Sequence, residues 1–162
     1  MVEQRVHEEL KTVKAYFKTA GMRWTGQREQ IVEQAFLSHE HFRAEDLLEM
    51  LRQRVSDSQV HLATVYRTLQ VLEEGGFIEG LDVGHGGRLF EHTLGHEHHD
   101  HVICTDCGRI AEFHDEAMEQ LKARAAKRLG FEMQHHSLRI FGSCDTLRTA
   151  GHCEHQDRKN VS

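Results

Sequence analysis

Apolar residues near the start of the chain recur three or four positions apart, which is the spacing of an amphipathic helix. The first series predicts a helix that ends near Gly21, and its apolar members are Val6, Leu10, Val13 and Phe17. A second series follows Thr25 and a third follows Phe42. The pattern therefore predicts three short amphipathic helices.

A fourth helix is predicted from His61 to Glu74, with Ser58 as a candidate N-cap and Gly75 and Gly76 at its end. Its apolar residues keep the same spacing: Leu62, Val65, Leu69 and Leu72. The opposite face is predicted to point outward and offers groups able to reach bases or phosphates. These residues are Thr64, Arg67, Thr68 and Val71, with Tyr66 on the flank.

Two short strands, Phe77 to Leu81 and Arg88 to Glu91, are predicted to follow as a hairpin. Helices followed by a hairpin are typical of a winged helix-turn-helix. Periodicity alone fits a small helical bundle without a ligand about as well.

The second half is predicted to be a small mixed domain, in which a strand from His98 returns as Arg109 to Phe113. A helix from Asp115 to Leu129 follows, and a last strand runs from Phe131 to Phe141. The predicted buried stripe of that helix is Met118, Leu121, Ala125 and Leu129. The fold class is therefore α+β, and the exposed edge of the sheet favours self-association.

Composition changes between the two halves, because 10 of the 15 histidines and all four cysteines lie beyond His85. We therefore expect a winged-helix DNA-binding domain at residues 1–91 and a hinge at 92–97. A metal-binding domain is expected at 98–153, and a disordered tail at 154–162.

Charge and composition exclude some classes of function. The formal net charge of -6 argues against a nonspecific polyanion binder, since such affinity comes largely from Lys and Arg. Nothing resembles a signal peptide or a membrane span, so a cytoplasmic location is expected. Cysteines in such a chain favour reduced metal ligands over disulfides.

The segment from His98 to Cys107 reads HHDHVICTDC and concentrates nitrogen, oxygen and sulfur ligands in ten residues. In an extended strand successive side chains point to opposite faces. His99 and His101 then share one face and His98 and Asp100 the other, which predicts two separate clusters. Cys104 and Cys107, where the strand turns, predict a third. The alternative is a polar surface run that is rich in histidine.

This segment, together with LATVYRTLQVLEEGGFIE at Leu62 to Glu79 and RLFEH at Arg88 to His92, resembles the ferric uptake regulator family. The resemblance extends from about Phe17 to Cys144. It implies a homodimeric, metal-responsive transcriptional repressor that binds double-stranded operator DNA and is not an enzyme. It also implies an N-terminal winged helix-turn-helix followed by a small α/β dimerisation domain, with no membrane partner and no small-molecule substrate. Whether dimers pair into tetramers is left open.

Three metal sites follow from the resemblance. The regulatory site would be His41, Glu91, His99, His101 and Glu112, so that one metal bridges the two domains. A second site would be His98, Asp100, Glu119 and His136. A structural zinc site would be Cys104, Cys107, Cys144 and Cys153.

The fourth zinc ligand departs from the family pattern, because the family's second cysteine pair is commonly closer in sequence. Eight residues separate Cys144 from Cys153, and a longer loop adds little closure entropy. His152 and His155 are alternative ligands.

Fe(II) is the regulatory metal that the resemblance favours, because Glu91 and Glu112 match the iron-sensing branch of the family. Histidine and carboxylate ligands also suit Mn(II), Co(II) and Zn(II), and intrinsic affinity does not favour iron. A peroxide-, manganese- or zinc-sensing member is therefore an alternative. Arg23, Tyr66 and Arg67 resemble the DNA contacts of the family, and Thr64 lies on the same predicted outward face.

Two other classes of protein compete with a repressor. A zinc-dependent hydrolase would keep an open metal position, whereas the ligand sets here are saturated. A passive metal buffer would not require the helix and hairpin between Leu62 and Glu91.

Overall fold

A computed structural model describes residues 2–38, 40–55, 59–83, 87–95 and 98–153. The chain forms two compact units. The first comprises Met1–Asp82 and Gly87–Glu97, and the second comprises His98–Ser162 with the short segment Val83–Gly86. Among the described residues, no helix combines the length and the apolar character that crossing a membrane requires.

The first unit contains four helices and a two-stranded hairpin among the residues that are described. In chain order these are α1 (Val2–Thr19), α2 (Gly26–Leu37), α3 (Ala44–Arg54), α4 (Leu62–Glu74), β1 (Ile78–Asp82) and β2 (Arg88–His92). Thr25 caps α2, since its hydroxyl accepts a hydrogen bond of 3.3 Å from the Arg28 amide. Helix α4 ends at Gly75 and Gly76, and Gly76 has a φ of 72°, which glycine adopts without strain.

A single apolar core holds this unit together. The predicted helix faces supply it, with Phe17, Ile31, Leu47 and Leu69 all fully buried. Strands β1 and β2 pair antiparallel with Gly80 opposite Phe90, and Phe42 forms an isolated bridge to Phe90. The arrangement is the predicted winged helix-turn-helix.

Two residues of α4 differ from the prediction. Thr68 and Val71 were expected on the outward face, but both are buried. Helix α4 packs against α2, α3 and β1, so more than one of its sides is covered. The Thr68 hydroxyl is satisfied within the helix by a 2.8 Å hydrogen bond to the Thr64 carbonyl. His61 stands at the N-cap position of α4, and Ser58 lies outside the described residues.

The second unit is a three-stranded sheet with helices. Its elements are β3 (Asp100–Cys104), β4 (Ile110–Phe113), α5 (Glu116–Arg128), β5 (Arg139–Gly142) and α6 (Asp145–Ala150). The strand order is β4-β3-β5, with β4 antiparallel and β5 parallel to the central strand. Asp115 caps α5 by accepting a 2.9 Å hydrogen bond from the Met118 amide.

Four features of this unit differ from the prediction. Strand β3 begins at Asp100, so His98 and His99 precede it, and the last strand is limited to Arg139–Gly142. The predicted buried stripe of α5 is open, with Leu121 56% and Leu129 70% exposed, because no described element covers it. Helix α6 was not predicted, since six residues are too few to show a period. The predicted tail at 154–162 lies outside the described residues.

Candidate metal centres

The four cysteines lie together at one end of the second unit. Cys104 ends β3, Cys107 closes the turn that follows, Cys144 precedes α6, and Cys153 comes shortly after that helix. The Cys107 sulfur lies 3.8 Å from that of Cys144 and 3.3 Å from that of Cys153. The Cys144 and Cys153 sulfurs are 3.4 Å apart. The sulfurs of Cys104, Cys107 and Cys144 lie within 4.8 Å of one another.

The spacing of the Cys104, Cys107 and Cys144 sulfurs suits one metal ion, and Cys153 lies beside two of them. These four cysteines form no disulfide, since disulfide sulfurs would be about 2.05 Å apart. A Zn–S bond of about 2.3 Å gives sulfur–sulfur edges of roughly 3.8 Å, close to the observed spacing. Burial raises the pKa of the Cys107 thiol to about 12, and a bound cation would reverse this preference by stabilising the thiolate.

A second cluster joins β3, α5 and the segment before β5. The His98 Nε2 atom lies 3.2 Å from Asp100 Oδ1, and His136 Nε2 lies 3.0 Å from Glu119 Oε2. Ligand atoms of all four residues lie within 4.8 Å of one another, a size suited to one cation. Asp100 is 1% exposed, so the cluster includes a fully buried carboxylate.

Lys122 also enters this second cluster. Its ammonium lies 2.6 Å from Asp100 Oδ2 and 2.6 Å from Glu119 Oε1. Burial alone would raise the pKa of Asp100, but hydrogen bonds from Lys122 and His98 outweigh it and lower the pKa. The hydrogen bond from Lys122 likewise lowers the pKa of Glu119. Both carboxylates are therefore ionised at neutral pH.

The residues expected at the regulatory site divide between the two units. In the first unit, His41 precedes the Phe42 bridge to Phe90, which brings its Nε2 atom to 3.1 Å from the Glu91 carboxylate. Both side chains are largely buried. Imidazole and carboxylate in contact are a donor pair that first-row divalent metals accept.

In the second unit, antiparallel pairing sets His101 opposite Glu112. The His99 and His101 rings lie 5.0 Å apart, and His99 Nε2 lies 3.8 Å from Glu112 Oε2. The predicted separation of neighbouring histidines holds, since His98 lies against Asp100 while His99 lies against His101. Each unit thus presents its own share of the five donors.

The residues expected to contact DNA lie on two elements of the first unit. Arg23 is exposed in the loop before α2, while Thr64, Tyr66 and Arg67 stand on α4. The Arg67 Nε donates a 3.0 Å hydrogen bond to the Ala63 carbonyl. Tyr66 is 44% exposed, which leaves its ring available to a ligand.

Some polar contacts of the DNA-binding face and of the second metal cluster were not predicted from the sequence. Tyr66 donates a 2.7 Å hydrogen bond to Glu45 of α3, which raises the pKa of Tyr66. Lys122 was missed as well, although its position one helical turn after Glu119 is a usable signal. The His92 ring stacks on Phe36 at 4.1 Å and lies 3.4 Å from the Glu9 carboxylate. His96 and Glu97, which come just before the histidine-rich segment in sequence, lie outside the described residues.

Comparison with known proteins identifies relatives across nearly the whole chain. The model of the ferric uptake regulator family matches residues 19–141. The ferric uptake regulation protein of Campylobacter jejuni is 34% identical over 150 residues, which cover 93% of this chain and 91% of that protein.

Solved structures agree with the sequence comparison. The Helicobacter pylori ferric uptake regulator Fur, described as having three functional metal-binding sites, is similar with a TM-score of 0.73 and 30% identity. That similarity covers 92% of this chain and 95% of the H. pylori chain. A Francisella tularensis ferric uptake regulator solved with iron has a TM-score of 0.62 and 32% identity, over 79% of this chain and 96% of its own.

Proposed function

Because this chain belongs to the ferric uptake regulator family, we propose that it is a metal-dependent repressor of transcription with Fe(II) as its regulatory metal. It would bind operator DNA as a homodimer in the cytoplasm and control iron homeostasis. The observation that carries the proposal is that each unit presents closely spaced metal donors: His41 with Glu91 in the first, and His99 with His101 and Glu112 in the second.

DNA recognition is assigned to the winged helix-turn-helix. Helix α4 would enter the major groove, which is wide enough to admit one helix. Tyr66 and Arg67, with Thr64 on the same face, would contact the major groove, while Arg23 would enter the minor groove. The hydrogen bond from Tyr66 to Glu45 supports this assignment, because it restricts an exposed ring on the reading face.

Dimerisation is assigned to the second unit, whose described surface exposes several large apolar side chains. Val102 of β3 and Ile140 of β5 are neighbours in the sheet register, and they are 38% and 42% exposed. Phe141 is 55% and Phe131 71% exposed. Exposed apolar side chains on a small unit favour burial against another chain, and a second copy would cover the open stripe of α5 as well.

Regulation would follow from sharing one metal between the two units. Fe(II) would supply a positive centre on which five protein donors can converge. His41 and Glu91 would then hold the orientation of the first unit, and His99, His101 and Glu112 that of the second. Without that restraint the units would pivot at residues 92–97, and the two α4 helices of a dimer would rarely suit one face of DNA.

The energy required is moderate. A shift from 1% to 99% of the DNA-competent arrangement needs about 10⁴-fold preferential metal binding, or roughly 5.5 kcal/mol. One or two additional ligand bonds from His41 and Glu91 can supply that difference. The four cysteines would hold zinc permanently and stabilise the second unit, and the second site would take the same class of divalent ion as the regulatory site.

The first experiment finds the operator and the metal. The full chain, loaded with structural zinc, is used to select bound DNA from a random pool in parallel with Fe(II), Mn(II), Zn(II) and a chelator. Enrichment of one sequence family by Fe(II) or Mn(II), and its absence with the chelator, is expected. Enrichment only by Zn(II) would instead identify a zinc sensor, and enrichment that ignores metal would refute the regulatory proposal.

The second experiment tests the bridge itself. With the selected DNA, His41→Ala is expected to reduce the metal-dependent gain in affinity at least about tenfold, or 1.4 kcal/mol, in an anisotropy titration. His7→Ala removes an exposed histidine of α1 and serves as the control. If His41→Ala retains the full metal response, the bridging role of His41 is wrong.

A further inference from the structure

The second cluster already contains a cation that belongs to the chain. The Lys122 ammonium contacts both of the carboxylates that the cluster offers, at 2.6 Å from Asp100 Oδ2 and 2.6 Å from Glu119 Oε1. These two oxygens are the hardest donors of the set and would carry most of the attraction for a divalent ion. The other two members, His98 and His136, offer imidazole nitrogens.

The position of Lys122 is built into the fold. It follows Glu119 by one turn of α5, so both side chains leave the helix on the same side. Asp100 is 1% exposed at the start of β3, and the Lys122 side chain is 21% exposed. The contact is therefore largely withdrawn from solvent, unlike a mobile ion pair on the surface, which contributes little.

From this geometry we propose that Lys122 is a resident counter-ion that competes with divalent metal for the second site and sets its affinity. The inference rests on the second site of the proposed function. With Lys122 in place, the net charge of Asp100, Glu119 and Lys122 is -1, whereas the two carboxylates alone would give -2. A metal entering the site must displace the ammonium or lie beside a like charge, and either costs affinity.

The second site would therefore bind metal only above a threshold concentration of free divalent ion. At low free metal, Lys122 keeps the two carboxylates paired, so the cluster does not leave buried negative charge uncompensated. At high free metal, the divalent ion displaces the ammonium, which can swing toward solvent because the side chain is already partly exposed. No proton needs to leave Lys122 for this exchange. The class of ligand is a first-row divalent ion that accepts mixed nitrogen and oxygen donors.

Charge removal at Lys122 is the direct test. The zinc-loaded full chain is titrated with Co(II) under reducing conditions, and binding is followed by visible absorption and by calorimetry. The binding event that His136→Ala abolishes is assigned to the second site. Lys122→Met, which keeps the length of the aliphatic stem, is expected to tighten that event at least about tenfold.

Three further variants separate the charge of Lys122 from other effects. Lys122→Arg keeps the cation and is expected to bind Co(II) no more tightly than the natural chain. Lys127→Met removes the same charge from an exposed position of α5 and is expected to leave the affinity unchanged. Lys122→Gln replaces Lys122→Met if the methionine variant does not fold, as judged by circular dichroism.

The proposal requires Co(II) affinity at the second site to rise in Lys122→Met. Affinity at the second site that is equal or lower in Lys122→Met would overturn the proposal, as would the absence of any binding event sensitive to His136→Ala in every variant. Tightening by Lys127→Met to the same extent would also overturn it, since the effect would then be general charge. Metal-dependent DNA binding, tested with His41→Ala, is a separate measurement, so failure of the regulatory proposal remains distinguishable.

Discussion

Removal of the Cys153 thiol is the most informative perturbation of the second unit, because this residue occupies the unusual position in the cysteine spacing. Cys153 is buried, and its sulfur lies 3.3 Å from that of Cys107 and 3.4 Å from that of Cys144. If it is the fourth zinc ligand, Cys153→Ala leaves three thiolates and one open position, which water can occupy only as a weaker ligand.

The expected loss of zinc affinity follows from the free energy with which four-ligand sites bind zinc. Apparent zinc binding in small peptides is about 10–16 kcal/mol at neutral pH, so an equal share for each of four ligands is about 2.5–4 kcal/mol. That share corresponds to a loss of roughly 10²–10³ in zinc affinity. Since a domain of this size is stable by about 5–15 kcal/mol in total, the second unit should also melt at a markedly lower temperature.

Zinc affinity can be measured by competition with a chromogenic chelator, together with thermal unfolding followed by circular dichroism. His152→Ala is the matched control, because His152 is the adjacent residue, is exposed, and contacts the Ala150 carbonyl at 3.1 Å. It should bind zinc like the natural chain. His155→Ala completes the set of candidate fourth ligands.

Cys153 is not a zinc ligand if Cys153→Ala holds zinc as tightly as the natural chain. A loss confined to His152→Ala or His155→Ala would assign the fourth position to that histidine instead. Equal, small losses in all three variants would mean that the site uses three protein ligands.

Two other predictions concern packing. Gly75→Ala should cost about 1–3 kcal/mol of unfolding free energy in chemical denaturation, because its new Cβ would lie 2.5 Å from the Phe77 ring. Gly26→Ala, where a Cβ meets nothing within 4 Å, should be neutral or slightly stabilising, and an equal loss there would contradict the steric argument. Phe141→Glu should weaken self-association at least about 10²-fold in analytical ultracentrifugation, since it buries an unpaired charge in the proposed dimer contact. Lys127→Glu on α5 is the control, and a Phe141→Glu protein that still sediments as a dimer would place the interface elsewhere.

Much of the first unit was predictable from local pattern. The spacing of Val13, Phe17, Leu69 and Leu72 identified the core faces of α1 and α4, because helical period is a property of the backbone. Thr68 and Val71 were wrongly predicted to face solvent, because helical period alone does not show which sides of a helix are covered. Period reports which residues share a side, but not how many sides other elements will cover.

Local geometry also explains why neighbouring histidines lie in different clusters. His98 and His99 were assigned to different clusters by the alternation of an extended chain, and they lie against Asp100 and His101 respectively, although β3 itself begins only at Asp100. Side chains of an extended backbone point to alternate faces even without a paired strand, so the order of the residues was enough to separate His98 from His99.

The order of residues by itself therefore determined helices α1 to α5, the hairpin, and the sorting of adjacent donors to opposite faces. The tertiary structure alone decided which distant residues met. Lys122 and Asp100 are 22 positions apart, and they touch only because the fold brings this turn of α5 to the start of β3. The exposed stripe at Leu121 likewise depends on which elements cover α5, and nothing in its own spacing contains that information. Short-range periodicity is set by backbone geometry, whereas contacts between elements are set by how whole surfaces pack.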